Sequence, residues 1–171
     1  MRTFLAVTVA LMLMGAAPVT LGFGDRVAPL ANQPTPYASA DLDGDGVADT
    51  VTIVSVATGK VLPGDITVIS NLWHTSWHAN QAALRAIAIV LGKQNRKFLI
   101  TGPDYFDSPI WSEKQLPLSV AKRGSKAFKE FQKQEKRIRS DILVLGTEAG
   151  IDTALYWNGK TFALFEPNEE P

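Results

Sequence analysis

Short apolar runs with β-branched residues recur along most of the chain, and they limit what it can fold into. The clearest run is residues 50–56 (TVTIVSV), where every second side chain can face the same side of a sheet. Asn158-Gly159 separates the last two runs and favours a tight type I′ hairpin turn. The other runs are residues 65–70, 86–91, 97–101, 117–121, 141–145, 153–157 and 161–165. We therefore expect a mainly β (α+β) fold, built on a single antiparallel sheet or a curled, blade-like sheet.

One principal helix is predicted over residues 125–139. Phe128, Phe131 and Ile138 can share one face of this helix, while basic side chains occupy the rest. Such a basic surface is either a solvated helix face or a contact for an anionic lipid or polymer of the cell envelope. A nucleic-acid partner is not expected. The candidate contact residues are Lys126, Lys129, Lys133, Lys136 and Arg137.

The first 17 residues have the order of a secretory signal peptide, in which a positive start precedes a short apolar run and small residues. We expect cleavage after residue 17 or as late as residue 31. Residues 18–36 are rich in proline and small residues and predict a linker. A β-rich domain over residues 37–165 and a C-terminal tail over residues 166–171 complete the organisation. The predicted location is therefore outside the cytoplasm, either periplasmic or extracellular.

Composition excludes several kinds of chemistry. The chain has 171 residues, which suits one domain, and its formal net charge of zero indicates no particular partner. It contains no cysteine, which rules out disulfides, a thiolate nucleophile and cysteine-held zinc. The G-x-S-x-G motif of many serine hydrolases is also missing.

An aspartate-rich loop over residues 41–49 (DLDGDGVAD) carries the most specific chemistry in the sequence. Carboxylates at alternating positions of a curled loop can converge, and clustered carboxylates favour a hard cation such as Ca²⁺. The predicted ligands are the side chains of Asp41, Asp43, Asp45 and Asp49 and the backbone carbonyl of Val47. The alternative is an aspartate-glycine turn that holds no ion.

The same loop resembles the calcium loop of FG-GAP/VCBS repeats, which occur in integrin-type propellers and in secreted bacterial proteins. The matching residues are Asp41, Asp43, Asp45-Gly46 and Asp49, followed directly by a strand, and the likeness covers residues 41–56. An EF-hand fits less well, because Thr52 replaces the glutamate at position 12 and no helix is predicted to follow. A full propeller needs at least about four blades of four strands, which this chain is too short to supply.

Two histidines, His74 and His78, are spaced to share a metal if they lie on one helix, although no third ligand is evident. These observations favour an exported, calcium-stabilised, non-enzymatic binding or structural module of the cell envelope. Two alternatives stay open. One is an envelope hydrolase with an unrecognised carboxylate or histidine site, and the other is a protein that contacts anionic lipid or polymer through the basic helix.

Overall fold

Ten strands dominate the described part of the molecule. The computed structural model describes residues 22–57, 62–70, 83–106, 108–112 and 114–167. The strands are β1 (Val27–Pro29), β2 (Ala38–Ala40), β3 (Asp49–Ala57), β4 (Ile66–Ile69), β5 (Ala83–Val90), β6 (Lys97–Thr101), β7 (Leu118–Ala121), β8 (Ile142–Leu145), β9 (Thr153–Trp157) and β10 (Phe162–Phe165). The helices are α1 (Pro103–Phe106), a 3₁₀ turn (Pro109–Ser112) and the principal helix α2 (Lys126–Gln134). The predicted mainly β fold with one principal helix is confirmed, and the described strands form neither a closed barrel nor a propeller.

The strands divide between two sheets, where a single one was expected. The larger sheet has the order β1-β3-β5-β6-β4, with β2 also paired to β3, and the smaller has the order β10-β9-β8-β7. All pairs are antiparallel except β4 with β6, which run parallel. Strands such as β3 and β8 are buried along most of their length. Because both faces of such strands need apolar cover, one sheet alone could not have satisfied them.

The two sheets pack against each other through the largest hydrophobic cluster. Val51, Ile87 and Phe98 contribute from the larger sheet, and Leu143 and Leu155 contribute from the smaller one. All five are fully buried, at 0% exposure. This cluster is the central core, and it fixes the relative position of the loops that leave both sheets.

Each sheet also has a covered outer face. Phe23 and Leu84 belong to the cluster on the outer face of the larger sheet. Helix α2 covers the smaller sheet with Phe128 and Phe131, which pack in one cluster with Ile138. Ser125 caps the helix by accepting a hydrogen bond from the N–H of Phe128 at 3.2 Å.

Helix α2 ends at Gln134, five residues before the predicted end at residue 139. Glu135 has extended backbone angles (φ −119°, ψ 98°), which stop the helix. Ile138 is nevertheless fully buried, because the chain turns back towards β8 and brings this side chain onto the sheet. The helical periodicity therefore identified the three buried residues correctly. The helix that forms is shorter than the predicted one.

The folded domain begins earlier than residue 37, which corrects the predicted linker over residues 18–36. Strand β1 pairs with β3, with Val27 opposite Val56 and Pro29 opposite Val54. Phe23 is only 1% exposed. The proline- and alanine-rich composition concealed this strand, because proline is tolerated at a sheet edge but lowers the strand prediction. The predicted signal peptide, residues 1–17, lies outside the described residues.

The β9–β10 hairpin forms as predicted, but its turn is not type I′. That turn requires a positive φ at both central residues, whereas Gly159 has φ +95° and Asn158 does not have a positive φ. Instead, Asn158 Oδ1 accepts hydrogen bonds from the N–H groups of Lys160 and Thr161, both at 3.0 Å. The side chain of Asn158 thus organises a longer connection between Trp157 and Phe162, which are paired across the hairpin.

Candidate metal centre

The aspartate loop connects β2 to β3 and therefore closes a β-hairpin. Ala40 pairs with Asp49 at the base of that hairpin, so residues 41–48 form the connection. A strand follows the loop, as predicted, and a second strand precedes it. The hairpin lies in the larger sheet, so both ends of the loop are held by strands.

Asp49 holds the loop closed from inside the protein. Its carboxylate accepts hydrogen bonds from the N–H of Leu42 at 2.7 Å, of Asp43 at 3.4 Å and of Gly92 at 2.8 Å. The residue is 0% exposed. Burial raises the pKa of Asp49 above its usual range, while the three N–H bonds act in the opposite direction. Asp49 therefore fixes the path of the backbone, whatever else it binds.

The other three aspartates each use one oxygen to shape the loop. Asp43 Oδ1 accepts from the N–H of Asp45 at 3.1 Å, and Asp45 Oδ1 accepts from the N–H of Val47 at 2.8 Å. Asp41 Oδ2 accepts from the N–H of Gly46 at 3.1 Å. These bonds between side chain and backbone curl the chain, so that alternate residues turn their carboxylates inward.

The remaining oxygens of these three carboxylates are buried and have no hydrogen-bond partner among the described residues. They are Asp41 Oδ1, Asp43 Oδ2 and Asp45 Oδ2. A buried oxygen without a partner is costly, and a carboxylate oxygen more so. Burial, together with the charges of Asp45 and Asp41, raises the pKa of Asp43. The loop thus holds negative charge that its own hydrogen bonds do not neutralise.

Four of the five predicted ligands show features expected of a cation site. Asp41, Asp43 and Asp49 each place a carboxylate oxygen within 4.8 Å of the others. Asp45 lies outside that group of three but contributes a buried, unpartnered oxygen. Val47, the fifth, lies in the loop with its side chain 41% exposed, and its predicted carbonyl ligation stays a prediction. In the described ranges, this is the one group of three or more acidic or histidine side chains close enough to share a metal.

Two residues directly before β8, Ser140 and Asp141, clasp the loop from outside, and sequence reasoning missed them. Asp41 and Asp141 exchange two hydrogen bonds: the N–H of Asp41 donates to Asp141 Oδ2 and the N–H of Asp141 donates to Asp41 O, both at 3.1 Å. The Ser140 hydroxyl donates to Leu42 O at 2.5 Å. In the sequence, Asp141 only begins an apolar run, because a partner 100 residues away leaves no local signal.

Asp141 is itself held in its ionised form. Burial opposes ionisation, but the N–H groups of Arg123 and Asp41 and the ammonium of Lys122 outweigh it, so the pKa of Asp141 is lowered. The Arg123 N–H donates to Asp141 Oδ1 at 2.7 Å, and Lys122 Nζ lies 3.1 Å from Asp141 Oδ2. We call Ser140, Asp141 and their bonds to Asp41 and Leu42 the inter-sheet clasp.

Gly92, directly after β5, is a second residue that sequence reasoning missed. A Cβ at this position would lie 2.3 Å from Ala48 O and 2.8 Å from Val47 Cγ1. The absence of a side chain lets the loop approach closely enough for the Gly92 N–H to bond Asp49. The sequence showed Gly92 only as a turn residue between two predicted strands.

The predicted basic surface is only partly a helix face. Lys126, Lys129 and Lys133 lie on α2 and are exposed, but Lys136 and Arg137 follow its end. Lys133 Nζ pairs with Glu130 at 2.9 Å, and Arg137 pairs with Glu135 at 2.6 Å. The Lys133–Glu130 pair is exposed on both sides and contributes little to stability, and the envelope contact stays a prediction. His74 and His78 lie outside the described residues.

These features define a class: a mainly β protein of two packed sheets, with an aspartate loop at the tip of one hairpin and clasped by the other sheet. Comparison of the chain with protein-family models, with curated proteins and with solved structures gives no match. No helix in the described ranges combines the length and apolar character needed to cross a membrane.

Proposed function

We propose that the chain is an exported, non-enzymatic binding or structural module of the cell envelope, stabilised by a calcium ion in the aspartate loop. One observation supports the calcium site above all others. Three aspartates at alternate positions, Asp41, Asp43 and Asp45, each have one oxygen that shapes the loop and one buried oxygen without a partner. A cation held between Asp41, Asp43 and Asp49 would supply a partner to this cluster, and Asp45 adds a further unpartnered carboxylate oxygen beside it.

The donor set favours calcium over other metals. The candidates are all oxygens, which suits a hard cation, and they sit in an irregular loop where Ca²⁺ tolerates variable geometry better than Mg²⁺. Asp49 uses both oxygens for N–H bonds, yet Oδ1 accepts only the bond from Gly92 and keeps a second lone pair for a metal. The resemblance to the FG-GAP/VCBS loop favours the same cation. Calcium bound in this loop would mainly stabilise the fold, because a ligand that binds only the native state stabilises that state.

Calcium titration of the wild type and of the double variant Asp43→Asn, Asp45→Asn tests the proposal. Asparagine keeps an oxygen for the loop N–H bonds and removes the charge. If Kd is about 10⁻⁴ M, 10 mM Ca²⁺ stabilises the wild type by about 2.7 kcal/mol, which raises Tm by roughly 5–10 °C. The double variant should show neither the heat of binding nor the shift. Without calcium, it should be at least as stable as the wild type, because two repelling charges are gone.

Asp25→Asn is the matched control, because Asp25 is exposed and lies outside the loop. This variant should retain the full calcium response. Titration with Mg²⁺ in place of Ca²⁺ should give a clearly smaller shift of Tm. A wild-type protein that shows no heat and no shift at 10 mM Ca²⁺ would remove the proposed site.

A further inference from the structure

A polar cleft opens directly beside the aspartate loop and belongs to no site described so far. Its volume is about 720 Å³, which lies within the range of small-molecule sites. The loop forms one wall with Asp43 and Gly44, and the β9–β10 hairpin forms another with Trp157 and Asn158. The remaining wall is formed by three arginines, Arg123, Arg137 and Arg139.

Two of the three arginines, Arg123 and Arg139, lie next to residues of the inter-sheet clasp. Arg123 is anchored by its N–H bond to Asp141, and Arg139 precedes Ser140, whose hydroxyl bonds the loop at Leu42 O. A Cβ at Gly44 would lie 3.3 Å from Ser140 Cβ, so loop and arginine segment are in close contact. The backbone positions of Arg123 and Arg139 are therefore held by the residues that clasp the loop, Asp141 and Ser140.

Two of the three arginines in the cleft lining have no ion-pair partner among the described residues. Arg137 is paired with Glu135, but the exposed side chains of Arg123 and Arg139 have no hydrogen bond or ion pair with any described residue. Asp43 is the one carboxylate in the lining. Guanidinium groups bind carboxylate and phosphate oxygens through paired N–H bonds, which makes arginine a common choice for such groups.

We infer that this cleft binds an anionic glycan segment, with its carboxylate or phosphate group held by Arg123 and Arg139, and that calcium in the adjacent loop strengthens the binding. The other lining residues suit a sugar. Trp157 offers a half-buried aromatic wall. The turn engages Asn158 Oδ1, so the Asn158 amide NH₂ is available to donate to a hydroxyl. This inference rests on the proposed function for its calcium dependence.

Anion binding depends on calcium because the aspartate loop, which would hold the ion, also forms one wall of the cleft. Asp41, Asp43, Asp45 and Asp49 place up to four negative charges beside the cleft, and these charges repel an incoming anion. A bound Ca²⁺ cancels two of them and shifts the local balance towards the arginines. Because coupling between two sites is reciprocal, an anion in the cleft must raise the affinity of the loop for calcium by the same factor.

Calorimetry on the full chain, in 5 mM Ca²⁺ and separately in EDTA, tests this inference. The probes are trigalacturonate for carboxylates, an oligomer of glycerol phosphate for phosphates, and neutral maltotriose. The wild type should bind at least one anionic probe in calcium, bind it several-fold more weakly in EDTA, and ignore maltotriose. The double variant Arg123→Gln, Arg139→Gln should lose at least about tenfold in affinity for that probe while keeping its calcium heat and its Tm.

The control Lys126→Gln, Lys129→Gln removes the same charge from the exposed face of α2, outside the cleft lining, and should bind the anionic probe like the wild type. An equal loss of affinity for the anionic probe in both double variants would overturn the inference, because it would show that net positive charge, and not the cleft, causes the binding. Anion binding that is unchanged in EDTA, or binding to phosphatidylglycerol vesicles but to no glycan probe, would also overturn the inference. Calcium titration without any anion reports the proposed function separately, so the two failures can be told apart.

Discussion

Gly92 shows how a single residue outside the aspartate loop controls its shape. The loop carbonyl of Ala48 comes so close that a Cβ at position 92 would lie 2.3 Å from it. The N–H of the same glycine donates to Asp49, whose other oxygen holds the start of the loop at Leu42 and Asp43. A methyl group at position 92 would therefore displace the end of the loop, and it would also break the hydrogen bond from the N–H of residue 92 to Asp49.

Gly92→Ala should lower the free energy of unfolding by about 1–3 kcal/mol, the usual cost of forcing a group into an occupied space. It should also weaken calcium binding, because Asp49 would lose one of its three N–H donors. Gly64→Ala is the matched control, since a Cβ there meets nothing within 4 Å, and it should change stability by less than about 0.5 kcal/mol. Urea unfolding and calcium titration of both variants measure the two effects. Equal behaviour of the two variants would contradict the close approach at Gly92.

Asp141 gives a pH-dependent contribution with a defined sign. Its pKa in the folded protein is lowered from the usual 3.8, so its ionised form stabilises the fold above that value. This stability is lost as the pH falls through the lower folded-state pKa. Asp141→Asn should cost about 1–3 kcal/mol at pH 7, and the difference from wild type should shrink below about pH 4. Urea unfolding without calcium at pH 7 and pH 3 checks it. A difference that stays constant between those pH values would argue against the charge of Asp141 as the cause.

At the scale of elements, local patterns predicted most strands but few of their partners. Alternation and β-branching located β3, and the predicted run at residues 97–101 coincides with β6. Pairing depends on contacts that are distant in the chain, so the parallel β4–β6 pair and the split into two sheets had no local signal. The predicted type I′ turn at Asn158 was also wrong, because hydrogen bonds to the Asn158 side chain organise a longer connection.

For the candidate site too, the sequence showed the local pattern but not the contacts that are distant in the chain. Four carboxylates and their spacing were visible in the sequence because the loop is local. Its supports, Gly92 and the inter-sheet clasp, were not visible, because Asp141 and Gly92 contact the loop from 100 and 43 residues away along the chain. Sequence spacing can therefore suggest a ligand set, but it cannot show what holds the ligands in position.

Strand β1 sets a limit on where the predicted signal peptide could be removed. Cleavage after residue 31 would delete Phe23 and Val27, which are 1% and 7% exposed, and burial of such side chains contributes about 1.5–3 kcal/mol each. A chain that begins at residue 32 should therefore be severely destabilised, whereas one that begins at residue 22 should unfold like the full chain. Urea unfolding of both chains measures this. N-terminal sequencing of exported protein should find a start at or before residue 22; a mature start at residue 32 with full stability would contradict the role of β1.

For the whole molecule, the inter-sheet clasp would couple the proposed calcium site to both sheets. The loop belongs to the β2–β3 hairpin, yet Asp41 bonds to Asp141 at the edge of β8. Calcium should therefore slow hydrogen exchange at the amides of β8 as well as at those of β3. Asp43→Asn, Asp45→Asn should abolish both effects, and Asp25→Asn should leave both intact. Protection confined to the hairpin, with β8 unchanged, would show that the clasp does not transmit stability between the sheets.

The long sequence separation of the clasp residues also determines when the clasp can form during folding. Asp41 and Asp141 are 100 residues apart, so their bonds form only after most of the polypeptide has been synthesised, and contacts of such separation slow folding. A chain that emerges N-terminus first, from a ribosome or through a translocation channel, presents its aspartates long before their support arrives. The proposed calcium site would therefore be completed late, and calcium binding would wait until the C-terminal half is free to fold.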